Sequence, residues 1–177
     1  MSEALIIIDV QKALFESTPR PFKADETIAN INIAIDGARK SGIPVIFVHH
    51  EKPGVLDFGT DGWQLEPNLR RADSDICIRK TNSSAFTDTH LQKTLDELSV
   101  TKLVICGFAT EYCVDSTVRA AASLGYQLKL VVDAHTTHDK SHAAAKDICE
   151  HHSNTLTSIT SFKYPVKAVL ASELWLE

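Results

Sequence analysis

Four short segments of the chain are apolar almost without interruption: residues 5–8, 45–48, 103–106 and 128–132, all rich in β-branched side chains. A strand with one wet face alternates apolar and polar positions, so unbroken runs predict parallel strands covered on both faces. Residues 76–78 and 156–159 carry weaker versions of the pattern and are predicted as two further strands. Between the runs the apolar spacing changes to three and four. Ile28, Ile31, Ile35 and Ala38 mark one face of a helix over 27–38, which Gly42 ends and Pro44 keeps from resuming. Leu91, Leu95 and Leu98 do the same over 89–98. Val114, Val118, Ala121 and Ala122 do so over 114–124, closed by Gly125, and Ala144, Ile148 and Cys149 over 142–152. Strand and helix patterns therefore alternate, which predicts an α/β fold: helices on both faces of a mostly parallel sheet, a three-layer α-β-α sandwich of Rossmann-like type.

One stretch breaks the alternation. Residues 51–75 hold three glycines and two prolines around Trp63. A connection this long in a compact domain usually serves as a lid or a binding wall. No repeat, linker or low-complexity tract divides the chain, so residues 1–177 are read as a single domain. The C-terminal stretch 164–175, with Val166, Val169, Leu170 and Leu174, has the apolar content to pack on this sheet or on a neighbouring subunit.

Composition narrows the function classes. Acidic residues number 23 against 18 basic ones, for a net charge of -5, and the basic residues form no block. That argues against a nucleic-acid partner. No apolar run approaches the roughly 18 residues that would span a bilayer, so no membrane partner is expected. The first residues lack the basic region and cleavage site of a secretory signal, which makes the cytoplasm the expected compartment. The four cysteines, Cys77, Cys106, Cys113 and Cys149, form no Cys-x-x-Cys pair and are read as free thiols.

In open parallel sheets the ligand crevice lies beyond the carboxyl ends of the strands. The residues that follow each predicted strand are therefore the candidates for chemistry. They are Asp9 after the first, His49, His50 and Glu51 after the second, Arg79 and Lys80 after the third, Gly107 and then Cys113 after the fourth, and Asp133 and His135 after the fifth. Asp9, Lys80 and Cys113 make a coherent set. A helix start and a nearby lysine both favour a thiolate, and a carboxylate can take the thiol proton and pass it to a leaving amine. The alternative for Cys113 is a buried, inert thiol on a helix face.

The same residues carry a resemblance. Asp9-Val10-Gln11 after an apolar strand, the segment from Lys80 through Thr81, Asn82, Ser83, Ser84 and Ala85 to Phe86, and the run from Gly107 and Phe108 through Ala109, Thr110, Glu111 and Tyr112 to Cys113 resemble the isochorismatase-like cysteine hydrolases. Nicotinamidases and N-carbamoylsarcosine amidohydrolases belong to this group. The resemblance runs from Leu5 to about Ile159. It implies an isochorismatase-like hydrolase fold with six strands in the order 3-2-1-4-5-6, and a catalytic triad of Asp9, Lys80 and Cys113. It also implies an oxyanion hole from the backbone N–H groups of Ala109 and Cys113, and a cis peptide between Phe108 and Ala109. The implied activity is hydrolysis of a C–N bond in a small amide, carbamoyl compound or ureide. Relatives are commonly dimers or larger, so a homo-oligomer is expected.

Phe15, His50, Trp63 and Tyr112 are the expected pocket residues, since aromatic walls are usual in small-molecule sites. Relatives that carry a metal hold it with an Asp-x-His pair beyond the second strand. Here that place reads His49-His50-Glu51, and Asp57 or Asp61 would have to complete a ligand set. No metal and no cofactor are expected. Three rivals remain. Cys113 to Arg119 has the cysteine, five residues, arginine spacing of a phosphatase loop, although the intervening residues contain no glycine and include Asp115. A non-catalytic binding or scaffold protein would use the same frame. A dinucleotide fold would need a glycine pattern that is missing after the first strand.

Overall fold

The computed structural model describes residues 2–175. Six strands form one sheet: β1 (Ser2–Ile8), β2 (Val45–His50), β3 (Ile76–Lys80), β4 (Val100–Phe108), β5 (Gln127–Thr136) and β6 (Lys167–Val169), in the order β3-β2-β1-β4-β5-β6. Every neighbouring pair is parallel. The helices are α1 (Lys12–Phe15), α2 (Ala24–Lys40), α3 (Leu91–Glu97), α4 (Asp115–Ser123) and α5 (Ala145–Ser158).

Alternate side chains of a strand point to opposite faces, and the core divides accordingly. Ala4, Ile6 and Ile8 of β1, with Ile46 and Val48 of β2 and Leu103 and Ile105 of β4, pack with α3, α4 and α5. Leu5, Ile7, Val45, Phe47, Val104 and Cys106 pack with α2 on the other face. Both faces are dry, which is why these strands read as unbroken apolar runs.

The sixth strand corrects the sequence reading. Residues 156–159 lie at the end of α5, where Leu156 enters the core, and β6 is formed later, within 164–175. That C-terminal stretch therefore packs on its own sheet. It ends with Trp175, whose indole N–H donates to the Ala34 carbonyl at 3.1 Å. Gly37 makes the room, since a Cβ there would stand 1.9 Å from the indole.

The sheet order reverses between β1 and β4, so the crevice opens there. Gly107 sits beside Ile8 at that point with φ +124, and a Cβ would meet the Ile8 carbonyl oxygen at 2.2 Å. Only glycine fits. No described helix is long and apolar enough to cross a membrane.

Candidate active site

Each candidate side chain is delivered by the end of a strand. β1 stops at Ile8, and Asp9 turns aside at φ 51 while its N–H still donates to the Val48 carbonyl at 2.9 Å. Aspartate tolerates this left-handed conformation better than most residues. Two residues on, the Gln11 amide ties the strand exits together. Its Nε2 donates to the carbonyls of His50 (3.0 Å) and Trp63 (2.9 Å), and its Oε1 accepts from the His50 N–H at 2.9 Å. Gln11 is fully buried. Sequence reading assigned it no role, though an amide directly after a buried strand exit was the available signal.

Lys80, the last residue of β3, is also buried. Its Nζ lies 2.7 Å from Asp9 Oδ2, 2.9 Å from His50 Nδ1, 3.1 Å from the Asn82 carbonyl and 3.2 Å from Cys113 Sγ. The other carboxylate oxygen, Asp9 Oδ1, is buried with no hydrogen-bond partner among the described residues. The Asn82 carbonyl helps hold the ammonium, and the Ser84 hydroxyl accepts from the Phe86 N–H. Cys113 stands on one turn of π-helix, Thr110–Val114, that leads into α4. Such turns often occur at functional sites because they re-aim side chains within a helix. The Phe108–Ala109 peptide before it is cis.

Asp9 and Cys113 open onto a cavity of about 310 Å³. Asp9, His50, Ala109, Tyr112 and Cys113 line it, with apolar walls from Leu14, Leu56 and Phe108 and with Lys52, Val55 and Ser83 around them. Two expected pocket residues stand elsewhere. Phe15 is fully buried behind the wall, edge-on to Phe108 at 5.6 Å. Trp63 stacks on His49 at 4.4 Å with Phe58 against its edge. Adjacent residues of a strand face opposite sides, so His49 turns away from the cavity that His50 lines, toward Trp63 and the Cys77 thiol 3.2 Å from its Nδ1. Of the proposed extra metal donors, Asp57 accepts from the Gly54 N–H and Asp61 pairs with Lys12 at 2.6 Å. Donor atoms of Asp9, His50 and Cys113 do converge within 4.8 Å of one another, but around the Lys80 ammonium, which already supplies a positive charge there.

Electrostatics corrects the expected thiolate. Burial, reinforced by the Asp9 charge, pushes the Cys113 thiol up to about 12 in spite of Lys80. Burial also raises the Asp9 carboxyl, outweighing the Lys80 charge, and the His50 imidazole is pushed down to about 4 by burial, Lys80 and Lys52. The shifts favour a protonated thiol, a carboxyl more basic than usual, and a neutral imidazole. Neighbouring residues brace the π turn. Thr110 Oγ1 lies 2.8 Å from Nδ1 of buried His135, and Glu111 accepts from the Thr137 hydroxyl and pairs with Lys140, both at 2.9 Å. Asp139 accepts from the N–H of Ala145 at the start of α5. Arg119 is turned onto Asp115 at 2.7 Å along α4, an arrangement without the anion cradle of a phosphatase loop.

Comparison with known proteins gives one consistent neighbourhood. The model of the isochorismatase domain matches residues 3–161. A streptothricin hydrolase of Streptomyces noursei is 33% identical over 150 residues, covering 84% of this chain and 54% of that protein. The chain thus spans about half the length of the streptothricin hydrolases it matches. A crystal structure of an isochorismatase family protein superposes with TM-score 0.88 at 35% identity, covering 94% of this chain and 97% of the other. An isochorismatase from Pseudomonas putida KT2440 superposes with TM-score 0.87 at 32% identity, covering 97% and 89%.

Proposed function

The chain belongs to the isochorismatase family of hydrolases, and from that premise we propose that it is a cysteine-dependent hydrolase of small C–N substrates. The substrate is an amide, a carbamoyl compound or a ureide, and the reaction passes through a thioester and releases ammonia or an amine. One observation carries this reading. Cys113 and Asp9 share the buried Lys80 ammonium, at 3.2 and 2.7 Å, and both open onto a small cavity.

Asp9 Oδ1, buried and without a partner among the described residues, takes the Cys113 proton as sulfur attacks the carbonyl carbon. Its raised pKa makes it a stronger base for that step. The backbone N–H groups of Ala109 and Cys113 receive the developing oxyanion. Lys80 offsets the negative charge that appears on sulfur. Protonated Asp9 then gives its proton to the departing nitrogen, the C–N bond breaks, and the acyl group remains on sulfur. Water, deprotonated by Asp9, releases the acid and restores the thiol. A vinyl-ether substrate would have no use for a nucleophilic cysteine.

A screen for ammonia or amine release over amides, carbamates and ureides, with chelator in a parallel arm, tests the reading. Activity should fall about a thousandfold or more in Cys113→Ala and be indifferent to chelator. Turnover that survives this substitution sinks the thioester route. A homo-oligomer, dimer or larger, would cover the exposed Val55, Phe58 and Tyr112 near the cavity, and sedimentation velocity tests that assembly.

A further inference from the structure

Lys80 Nζ has more acceptors than protons. Asp9 Oδ2, His50 Nδ1, the Asn82 carbonyl and Cys113 Sγ stand 2.7, 2.9, 3.1 and 3.2 Å away. An ammonium carries three protons and no lone pair, so the four acceptors compete for three protons and at least one bond is shared. As a thiol, the sulfur is the weakest acceptor of the four. The same rule fixes the imidazole. An ammonium cannot accept, so His50 Nδ1 is the lone-pair nitrogen and the ring proton sits on Nε2. The ring is held in place from its own backbone, because the Gln11 amide bonds both the N–H and the carbonyl of His50.

Resting on the reading of Cys113 as nucleophile, we propose that His50 is a positioning residue. It competes with the Cys113 sulfur for the Lys80 protons, weakens the bond from Lys80 to sulfur, and so keeps the nucleophile a thiol while the site is at rest. The charged groups involved come from three strands. Asp9 and Lys80 face the sulfur, and Lys80, Lys52 and Glu51 face the imidazole. Burial, with the two lysines behind it, keeps His50 neutral and its lone pair available. With that acceptor removed, the bond from Lys80 to sulfur strengthens and favours the thiolate.

The test reads the thiol directly and needs no known substrate. Iodoacetamide alkylates the thiolate: sulfur displaces iodide from the methylene carbon, and the thiol proton leaves to Asp9 or solvent. The rate at Cys113, located by peptide mass spectrometry, is followed against pH in the full chain. The variants are His50→Phe, a flat ring without an acceptor, and His50→Asn, which returns an acceptor oxygen near the Nδ1 position. The His50→Phe curve should move about one pH unit lower. At pH 7 its rate should rise about threefold to fourfold, since thiolate rises tenfold while its nucleophilicity falls with pKa. His50→Asn should follow the wild type. Nitrogen NMR of the unmodified protein, which no folding defect can spoil, should show a bare Nδ1 and a protonated Nε2. An unmoved His50→Phe curve, an Asn curve shifted as far as the Phe curve, or a protonated Nδ1 overturns the proposal. A wild-type Cys113 that no pH makes reactive overturns the nucleophile reading instead.

Discussion

Lys80 holds its charge where water does not reach, and the chemistry of the site turns on that one side chain. Its ion pair with Asp9 is almost fully buried on both sides. Breaking such a pair by removing one partner costs about 3–5 kcal/mol, because the survivor is left uncompensated. Lys80→Met should lose that much in urea unfolding and lose turnover as well. Adding Asp9→Asn should recover much of the stability and none of the activity, which separates the two roles of the pair. Asp9, Lys80 and Cys113 were legible as candidates in the sequence because each comes after a predicted strand. Their ionisation was not legible. A helix start and a lysine argued for a thiolate, but burial decides the matter, and burial belongs to the folded chain. Phe15 and Trp63 were misplaced for a related reason: where an aromatic ring lands depends on the path of its loop, which no spacing records.

At the scale of elements, Gly37 and Trp175 make a test with a change of sign. Alanine in an exposed helix position is better than glycine by about 1 kcal/mol. In α2, however, a Cβ at 37 would overlap the indole of Trp175. Gly37→Ala should therefore destabilise the protein, whereas the same change made on a Trp175→Ala background should stabilise it. Thermal melts of the four proteins complete the cycle, and Gly37→Ala effects of equal sign in both backgrounds would remove the clasp from the account. The elements themselves were unevenly legible. β1, β2, β4 and β5 stood out because both their faces are buried. β6 did not, since it is three residues long with Lys167 and Ala168 exposed. Residues 156–159 imitated a strand because Leu156 and Ile159 are apolar for another purpose, the seating of the last turn of α5 against the core.

For the whole molecule, buried histidines set the response to acid. His49 and His135 are pushed down to about 4 from an ordinary 6.5, chiefly by burial. The unfolded chain binds these protons more tightly, so their contribution is complete above about pH 6.5 and is lost as pH falls toward 4. For His135, buried against Thr110 and Ser153, the loss is up to about 3 kcal/mol. Asp9, raised by burial, acts in the opposite direction and favours the folded state at lower pH. Urea midpoints at about pH 7, 5.5 and 4.5 should fall in that order, and His135→Gln should flatten the slope; a midpoint that holds steady across the series would contradict the buried histidines.

The stacking of Trp63 on His49 has an optical consequence. The chain has two tryptophans, and they sit at opposite ends of the sheet. Trp175 lies by Lys129 near the start of β5, whereas Trp63 lies over His49 at the end of β2, next to the strand exit that supplies His50. An imidazolium quenches indole emission and a neutral imidazole does not, so Trp63 fluorescence should dim as His49 takes its proton while Trp175 stays bright. With Trp175 replaced by phenylalanine, the remaining emission becomes a signal for the protonation of His49 alone.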